Sequence, residues 1–201
     1  MSAPLSWSTD EQGLCTLRLA REPLNELGEA SLSALERFAG ELRAEGSPIR
    51  AVLLVSDLER GFCAGADLRA LHAAIEARGH AAVQAELRAF LERIHAVFSA
   101  LDQAPQPSAA AVHGVVFGGG LELALTCDLI VAARSARFGF PELRLGLIPG
   151  FGGTVRLPRA LGSARLLDLL LTGRSLNAER ARDAGLVSQV VAPGRQEAAA
   201  A

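Results

Sequence analysis

The segment that decides the fold spans residues 109–122 and reads AAAVHGVVFGGGLE. It begins as an apolar run of strand length, passes Gly114, and reaches Gly118-Gly119-Gly120 before Leu121 and Glu122 open a helix. Glycine lets a ligand atom approach main-chain N–H groups, and the dipole of a helix N-terminus favours negative charge there. The segment therefore predicts a strand, an anion-stabilising turn and a helix with a carboxylate in its first turn.

A second carboxylate follows at Glu142, in Phe138-Gly139-Phe140-Pro141-Glu142, again behind a glycine and proline turn. If Glu122 and Glu142 face each other across a small site, they suit general acid and base catalysis on one water molecule. Each feature also has a plainer interpretation. A glutamate at a helix start is commonly a capping device, and a glycine cluster is commonly a turn.

Composition indicates one globular domain. The chain has 201 residues, 50% of them hydrophobic, with a net charge of −2, which allows a substantial core. No basic run marks a nucleic-acid surface, so nucleic acid is not expected as a partner. The apolar runs at 51–55 and 166–171 are too short to cross a bilayer, and the N-terminus does not resemble a signal peptide. We expect no membrane association and a cytoplasmic protein.

The residue types that are missing restrict the chemistry. The sequence contains neither Lys nor Tyr, which excludes Schiff-base catalysis, a P-loop lysine and a phenolic acid or base. Its four histidines show no metal-ligand spacing, so we expect no metal site. Cys15, Cys63 and Cys127 are interpreted as small buried hydrophobic residues. For Cys63, beside a glycine turn, a nucleophilic role is the less favoured alternative.

The order of predicted elements is that of an α/β protein with covered sheets. Predicted strands lie at 14–19, 51–55, 109–112, 129–133 and 187–191; predicted helices lie at 31–42, 83–101, 121–126, 154–161 and 164–171. Asp67 and Asn177 are predicted to cap two more helices. We expect one domain over residues 1–195, with residues 196–201 as a frayed or truncated tail.

With these elements in order, the sequence resembles the enoyl-CoA hydratase/isomerase family, also called the crotonase family. The resemblance extends from the strand at Leu14 to Val191 and rests on several separate motifs. Besides the segments already quoted, they are GFCAGADL at 61–68, CD at 127–128, PELRLG at 141–146, PG at 149–150, GG at 152–153, LTG at 171–173 and AGLV at 184–187.

The resemblance implies a crotonase-like (ClpP/crotonase) spiral of β-β-α units that binds an acyl thioester of coenzyme A. It implies that the backbone N–H groups of Ala66 and Gly119 hold the thioester oxygen as an oxyanion hole. Residues implied to contact the substrate are Ala64, Asp67, Leu68 and Gly118. Coenzyme A would then be part of the substrate, and no other cofactor is expected.

Because both glutamates are kept, the sequence is most similar to hydratases, which add water across the 2,3 double bond of an enoyl thioester. Glu122 and Glu142 would be the catalytic pair, one as base and one as acid, in an order left open. Alternatives are a Δ3,Δ2-enoyl isomerase, a carrier-protein-linked dehydratase or hydratase of polyketide synthesis, and a non-catalytic thioester-binding subunit.

The sequence also departs from the family pattern. Family members continue into C-terminal helices that close the acyl pocket and build a trimer or a dimer of trimers, and we expect that part to be missing here. A homotrimer or hexamer is expected if such helices are supplied. Arg21 is interpreted either as a contact for the nucleotide part of coenzyme A or as a solvated surface charge. Apolar candidates for the acyl pocket are Leu68, Leu71, Phe117, Leu121 and Phe140.

Overall fold

The computed structural model describes residues 3–201 as two β-sheets surrounded by helices. The strands are β1 (Leu5–Thr9), β2 (Leu14–Leu19), β3 (Ala51–Ser56), β4 (Gly61–Cys63), β5 (Ser108–Val112), β6 (Val115–Phe117), β7 (Leu129–Ala133), β8 (Arg137–Gly139), β9 (Ser175–Asn177) and β10 (Gln189–Val191). The helices are α1 (Glu29–Leu42), α2 (Leu68–Arg78), α3 (His80–Asp102), α4 (Gly119–Ala124), α5 (Gly153–Leu161), α6 (Ser163–Thr172), α7 (Ala178–Asp183) and α8 (Gln196–Ala200), with a 3₁₀ helix at Pro141–Leu145.

The two sheets are built by repeated strand pairs. The larger has the order β1-β2-β3-β5-β7-β10 and the smaller β4-β6-β8-β9. In three successive units, β3 and β4, β5 and β6, and β7 and β8, the first strand joins the larger sheet and the second joins the smaller one. Corresponding strands pair in parallel, for example β3 with β5 and β4 with β6. This is the predicted spiral of β-β-α units, and the α/β fold class is confirmed.

The apolar run at 51–55 forms β3, which is buried on both faces as predicted. Val52 and Leu54 point into the main core, whereas Leu53 and Val55 form a second small cluster with Ala109 and Ala111. Residues of opposite side-chain direction therefore serve two separate cores, as strand pleating requires.

The expected frayed tail is instead a helix. Residues 196–200 form α8, which contacts β3, β5 and β7. Ala200 packs against the second cluster, and Gln196 is 7% exposed. The structure thus shows a packed helix in the segment expected to be a frayed or truncated tail, because the outer face of β3 and β5 offers an apolar surface on which a short alanine-rich helix can pack.

The smaller sheet was not predicted strand by strand. Strands β4, β6, β8 and β9 each have three residues, too few to show an alternating pattern. The segment 61–67, predicted as a turn, begins with β4. Strand β1 was also missed, although Leu5 and Trp7 alternate with Ser6 and Ser8. Within residues 3–201, no helix is both long and apolar enough to span a membrane.

Candidate active site

The candidate site lies where the smaller sheet gives way to α4. Strand β6 ends at Phe117, and the Gly118 N–H donates to the Gly139 carbonyl of β8 over 3.0 Å. Gly118 has φ +51°, and a β-carbon there would overlap the Glu142 carboxylate. Only glycine suits both conditions. The turn therefore lets the second predicted carboxylate lie directly over the start of α4.

Two main-chain N–H groups meet beside this turn, from Ala66 and Gly119. Ala66 pairs with Leu27 in a parallel bridge, in which the Leu27 N–H donates to Gly65 and the Asp67 N–H donates to Leu27, over 2.7 and 3.0 Å. The Ala66 N–H consequently points to the opposite side. Gly119 is the first residue of α4, where N–H groups have no intrahelical acceptor. A β-carbon on Gly119 would lie 3.4 Å from the Ala66 nitrogen, so the two donors are neighbours.

Glu122 is the buried carboxyl group of the site. It lies in the first turn of α4, is 1% exposed, and its Oε1 accepts hydrogen bonds from the Phe151 and Gly153 amides over 2.8 and 2.7 Å. Burial raises the pKa of Glu122 to about 7; the two amides and Arg156 oppose this shift, while Glu142 adds to it. Near neutral pH this group exists in both protonation states, as acid and base catalysis requires.

Glu142 is the second carboxyl group of the site and lies against Gly118, at the start of α4. It follows Pro141 in the 3₁₀ helix, and its Oε2 is buried with no hydrogen-bond partner in the described part of the chain. Burial raises the pKa of Glu142, and its own backbone amide partly offsets the shift. A buried carboxyl oxygen without a donor favours the protonated form. The structure thus places the two predicted catalytic residues near one another, each shifted toward holding a proton.

Both glutamates and both amide donors line one cavity of about 480 Å³. All four residues predicted to contact the substrate line it as well, namely Ala64, Asp67, Leu68 and Gly118. The eight site residues named from the sequence therefore come together in one place. Among residues 3–201, no group of three or more His, Cys, Asp or Glu side chains is placed to hold a metal ion.

The apolar wall of the cavity differs from the predicted one. Leu68 and Leu71 line it, but Phe117, Leu121 and Phe140 do not, and Leu121 and Phe140 are buried in the core. The missing wall residues come from α3, the last residue of the 3₁₀ helix and the loop that follows it: Val83, Leu87, Phe90, Leu91, Leu145, Leu147, Ile148 and Phe151. The α3 residues belong to an apolar stripe along that helix. One part of the stripe packs on the core and another part borders the cavity. The sequence does not distinguish the two parts, so it assigns the whole stripe to the core.

Asp67 connects the cavity wall to the preceding loop. Its side chain accepts from the Ala70 amide over 3.0 Å, which caps α2 as predicted. It also forms an ion pair with Arg21, whose guanidinium donates to the Glu26 carbonyl as well. Burial works against the charge, but the Ala70 amide and Arg21 lower the pKa of Asp67. Arg21, interpreted from the sequence as a nucleotide contact or a solvated charge, is thus held by protein groups.

Cys63 has the environment of a structural residue. Its thiol is fully buried and donates to the Asn25 carbonyl over 3.0 Å. Burial raises its pKa to about 12, so the reactive thiolate is nearly absent at neutral pH. The less favoured nucleophilic interpretation finds no support in this geometry.

Comparison with known proteins agrees with the geometry. Residues 9–199 match the family model described as enoyl-CoA hydratase/isomerase. The chain is similar to mouse enoyl-CoA hydratase domain-containing protein 2, mitochondrial, at 40% identity, covering 94% of this chain and 61% of the mouse protein. It is 38% identical to rat methylglutaconyl-CoA hydratase, mitochondrial, covering 88% of this chain and 53% of that protein. The chain thus spans less than two thirds of the length of either relative.

A solved structure gives the same result for the fold. The crystal structure of enoyl-CoA hydratase from Bacillus anthracis superposes with a TM-score of 0.87 at 36% identity, covering 98% of this chain and 73% of that one. Because the match includes nearly every described element, it extends to the strands and helices that build the cavity.

Proposed function

The chain belongs to the enoyl-CoA hydratase/isomerase family, and we propose that it adds water across the 2,3 double bond of an enoyl thioester. The observation that carries the proposal is that the buried carboxyl group of Glu122, the partly buried one of Glu142 and two main-chain amides border one cavity. Isomerisation needs one carboxylate to move a proton between carbons. A second carboxyl group aimed at the same space favours the addition of water, which needs a base and an acid.

In the proposed reaction, the water oxygen bonds to C3 of the acyl chain while a carboxylate removes one of its protons. The electron pair of the double bond moves toward the thioester oxygen, and the resulting enolate takes a proton at C2. The N–H groups of Ala66 and Gly119 are placed to donate to the enolate oxygen. One donor of this kind contributes about 3 kcal/mol to transition-state stabilisation.

We assign the base role to Glu122 and the acid role to Glu142. Two amides donate to Glu122 Oε1, and donors of this kind stabilise the ionised form. Glu142 has a buried oxygen without a donor, which suits a protonated group. Because the charges interact, the two carboxyls titrate as a pair that holds one proton in the active state.

The cavity wall supports an aliphatic acyl chain as the group that is bound. Leu71, Leu87, Phe90 and Leu91 border the cavity, and such surfaces gain free energy when they bury alkyl groups. We propose a coenzyme A thioester as the substrate, with coenzyme A as part of the substrate and no separate cofactor.

We further propose that the protein self-associates. Helix α6 contacts both α5 and the 3₁₀ helix, and these three elements expose large apolar side chains: Leu143, Leu145, Val155, Leu167 and Leu171. Exposed apolar patches of this kind mark protein interfaces. We propose a homotrimer or a hexamer. Light scattering should then give a molar mass three or six times that of the chain.

The test of the catalytic proposal is incubation of the purified chain with a short trans-2-enoyl-CoA. Hydration removes the absorbance of the conjugated thioester and adds the mass of one water to the acyl group. In water labelled with ¹⁸O, the label should appear at C3 of the product. The matched control is the double variant with Glu122→Gln and Glu142→Gln, which keeps side-chain size and should be inactive.

Three other outcomes would each contradict a part of this proposal. Movement of the double bond without a gain in mass would indicate an isomerase. If the acyl group is hydrated only when it is attached to a carrier protein, the substrate is a carrier-protein thioester and not a coenzyme A thioester. Tight thioester binding with no chemical change in either form would indicate a binding subunit.

A further inference from the structure

Arg156 lies behind the active site and does not border its cavity. It belongs to α5, is 8% exposed, and its Nη1 donates to the Phe151 carbonyl oxygen over 3.1 Å. A β-carbon on Gly152 would overlap the same guanidinium. The Arg156 side chain therefore packs directly under the turn at residues 151–153.

The opposite side of that turn holds Glu122. The Phe151 and Gly153 amides donate to Glu122 Oε1, at sequence separations of 29 and 31 residues. The Phe151 ring is in addition packed edge-on against Phe98, with ring centroids 6.0 Å apart. One short turn is thus held by a carboxylate on its amide side and by a guanidinium on its carbonyl side.

Asp102 is the ion-pair partner of this guanidinium, although the Arg156 Nε makes no hydrogen bond in the described part of the chain. Asp102 is the last residue of α3, and its Oδ2 lies 3.3 Å from Arg156 Nε. Arg159 also reaches Asp102, over 3.4 Å, but its side chain is 66% exposed. A second cavity, of about 270 Å³, borders Asp102, Arg156 and Arg159. Neither Asp102 nor Arg156 lines the cavity that holds the glutamates, so a direct substrate contact is not part of their role.

We propose that Arg156, which forms an ion pair with Asp102, is a positioning residue for Glu122: it fixes the turn whose two amides orient the Glu122 carboxylate. The inference rests on the proposed function for its catalytic meaning. Misplacing a catalytic group by about 1 Å can cost about 10²-fold in rate, so loss of the turn geometry should reduce turnover without removing any group that touches the substrate.

The charges of this arrangement also affect the pKa of Glu122. The charged groups that act on Glu122 are Glu142 from the 3₁₀ helix, which raises its pKa, and Arg156 from α5, which lowers it. Asp102 from α3 lies against Arg156 and partly neutralises that positive charge. Removing the Arg156 charge should therefore raise the pKa of Glu122, and removing the Asp102 charge should lower it.

The test combines kinetics with direct titration. In Arg156→Met, we expect kcat for hydration to fall about 10²-fold, KM to change little, and the acid limb of the pH profile to move to higher pH. Arg156→Lys keeps the charge and should restore the position of the acid limb. Arg159→Met removes the exposed neighbour of Asp102 and is the control, with parental kinetics.

A carbon NMR titration of Glu side-chain carboxyls provides a readout that needs no activity. Glu122 is assigned by the signal that disappears in Glu122→Gln. Its midpoint should rise in Arg156→Met and fall in Asp102→Asn, and the second variant covers the case in which the first does not fold. Unchanged midpoints, or a folded Arg156→Met with parental kcat, would overturn the proposal. If the parent shows no hydration but the midpoints move as expected, the proposed reaction is wrong while the positioning of Glu122 by Arg156 holds.

Discussion

Gly65 lies against the amide nitrogen of Gly119, so that a β-carbon on Gly65 would stand 2.9 Å from it. Gly65 has φ +102°, and the next residue carries the other candidate oxyanion donor. The absence of a side chain at Gly65 therefore sets the distance between the two N–H groups, a distance that neither donor residue controls alone.

Replacing Gly65 with alanine should push Gly119 away and separate the two donors. We expect Gly65→Ala to lower kcat by about 10²- to 10³-fold, the effect of losing one oxyanion donor. The control is Gly46→Ala, because Gly46 also has positive φ but meets no atom within 4 Å. Both variants should lose about 1–2 kcal/mol of stability through backbone strain. A folded Gly65→Ala with the kcat of Gly46→Ala would contradict the role of these donors.

The glutamate pair should be indispensable in turnover but not in binding. Glu122→Gln and Glu142→Gln should each reduce the hydration rate by about 10²- to 10⁴-fold, while the dissociation constant of a thioester product stays near the parental value. Glu86→Gln is the matched control, since Glu86 lines the same cavity but is exposed and pairs with Arg78. Equal rates for Glu86→Gln and Glu122→Gln would remove the distinction between catalytic and lining carboxylates.

Ionisation of the buried Glu122 should make the free energy of unfolding depend on pH. The pKa of Glu122 is about 7 in the folded chain, above the ordinary glutamate value of 4.5, so the folded state binds more protons than the unfolded state between these two values. The free energy of unfolding should therefore fall as pH rises through this range, by about 3 kcal/mol at most. Urea unfolding at pH 5 and pH 8 should show Glu122→Gln gaining stability relative to the parent at pH 8. Parallel pH dependence in both proteins would rule out the raised pKa.

Asp67 should affect both stability and the cavity. Asp67→Ala removes the cap of α2, and Asn177→Ala removes the cap of α7, where Asn177 accepts from the Arg180 amide over 2.8 Å. Each should lower the free energy of unfolding by about 1 kcal/mol. Only Asp67→Ala should also raise KM for the enoyl thioester, because Asp67 lines the cavity and Asn177 does not. A KM increase of equal size in both variants would mean that general loosening is responsible.

The helices and strands that were predictable are those whose sequence pattern lies entirely within one element. The run at 51–55, the stripe of α3 and the caps at Asp67 and Asn177 are local patterns, and each appears in the structure. The smaller sheet was not predictable strand by strand, because its three-residue strands owe their existence to pairing with distant segments. The helix at 196–200 depends on an apolar sheet face that its own polar and alanine-rich sequence does not reveal.

The candidate site likewise contains residues that the sequence identified and residues that it did not. Glu122 and Glu142 were identified because glycine and proline turns precede them. Arg156 and the amides of the 151–153 turn were not, since their importance arises from hydrogen bonds across about thirty residues of sequence. An arginine inside a helix gives no sign that it is buried, and only its partners in the folded chain distinguish it from a solvated charge.

Helix α2 buries none of its eleven residues, whereas all six residues of α4 are buried. Substitutions on α2 should therefore be nearly neutral for folding, while those on α4 should be costly. Leu71 and Ala74 of α2 border the cavity, so the proposed acyl-binding wall can vary under mutation while the catalytic framework stays fixed. Evolution and directed libraries alike can change this wall without first having to restore a damaged fold.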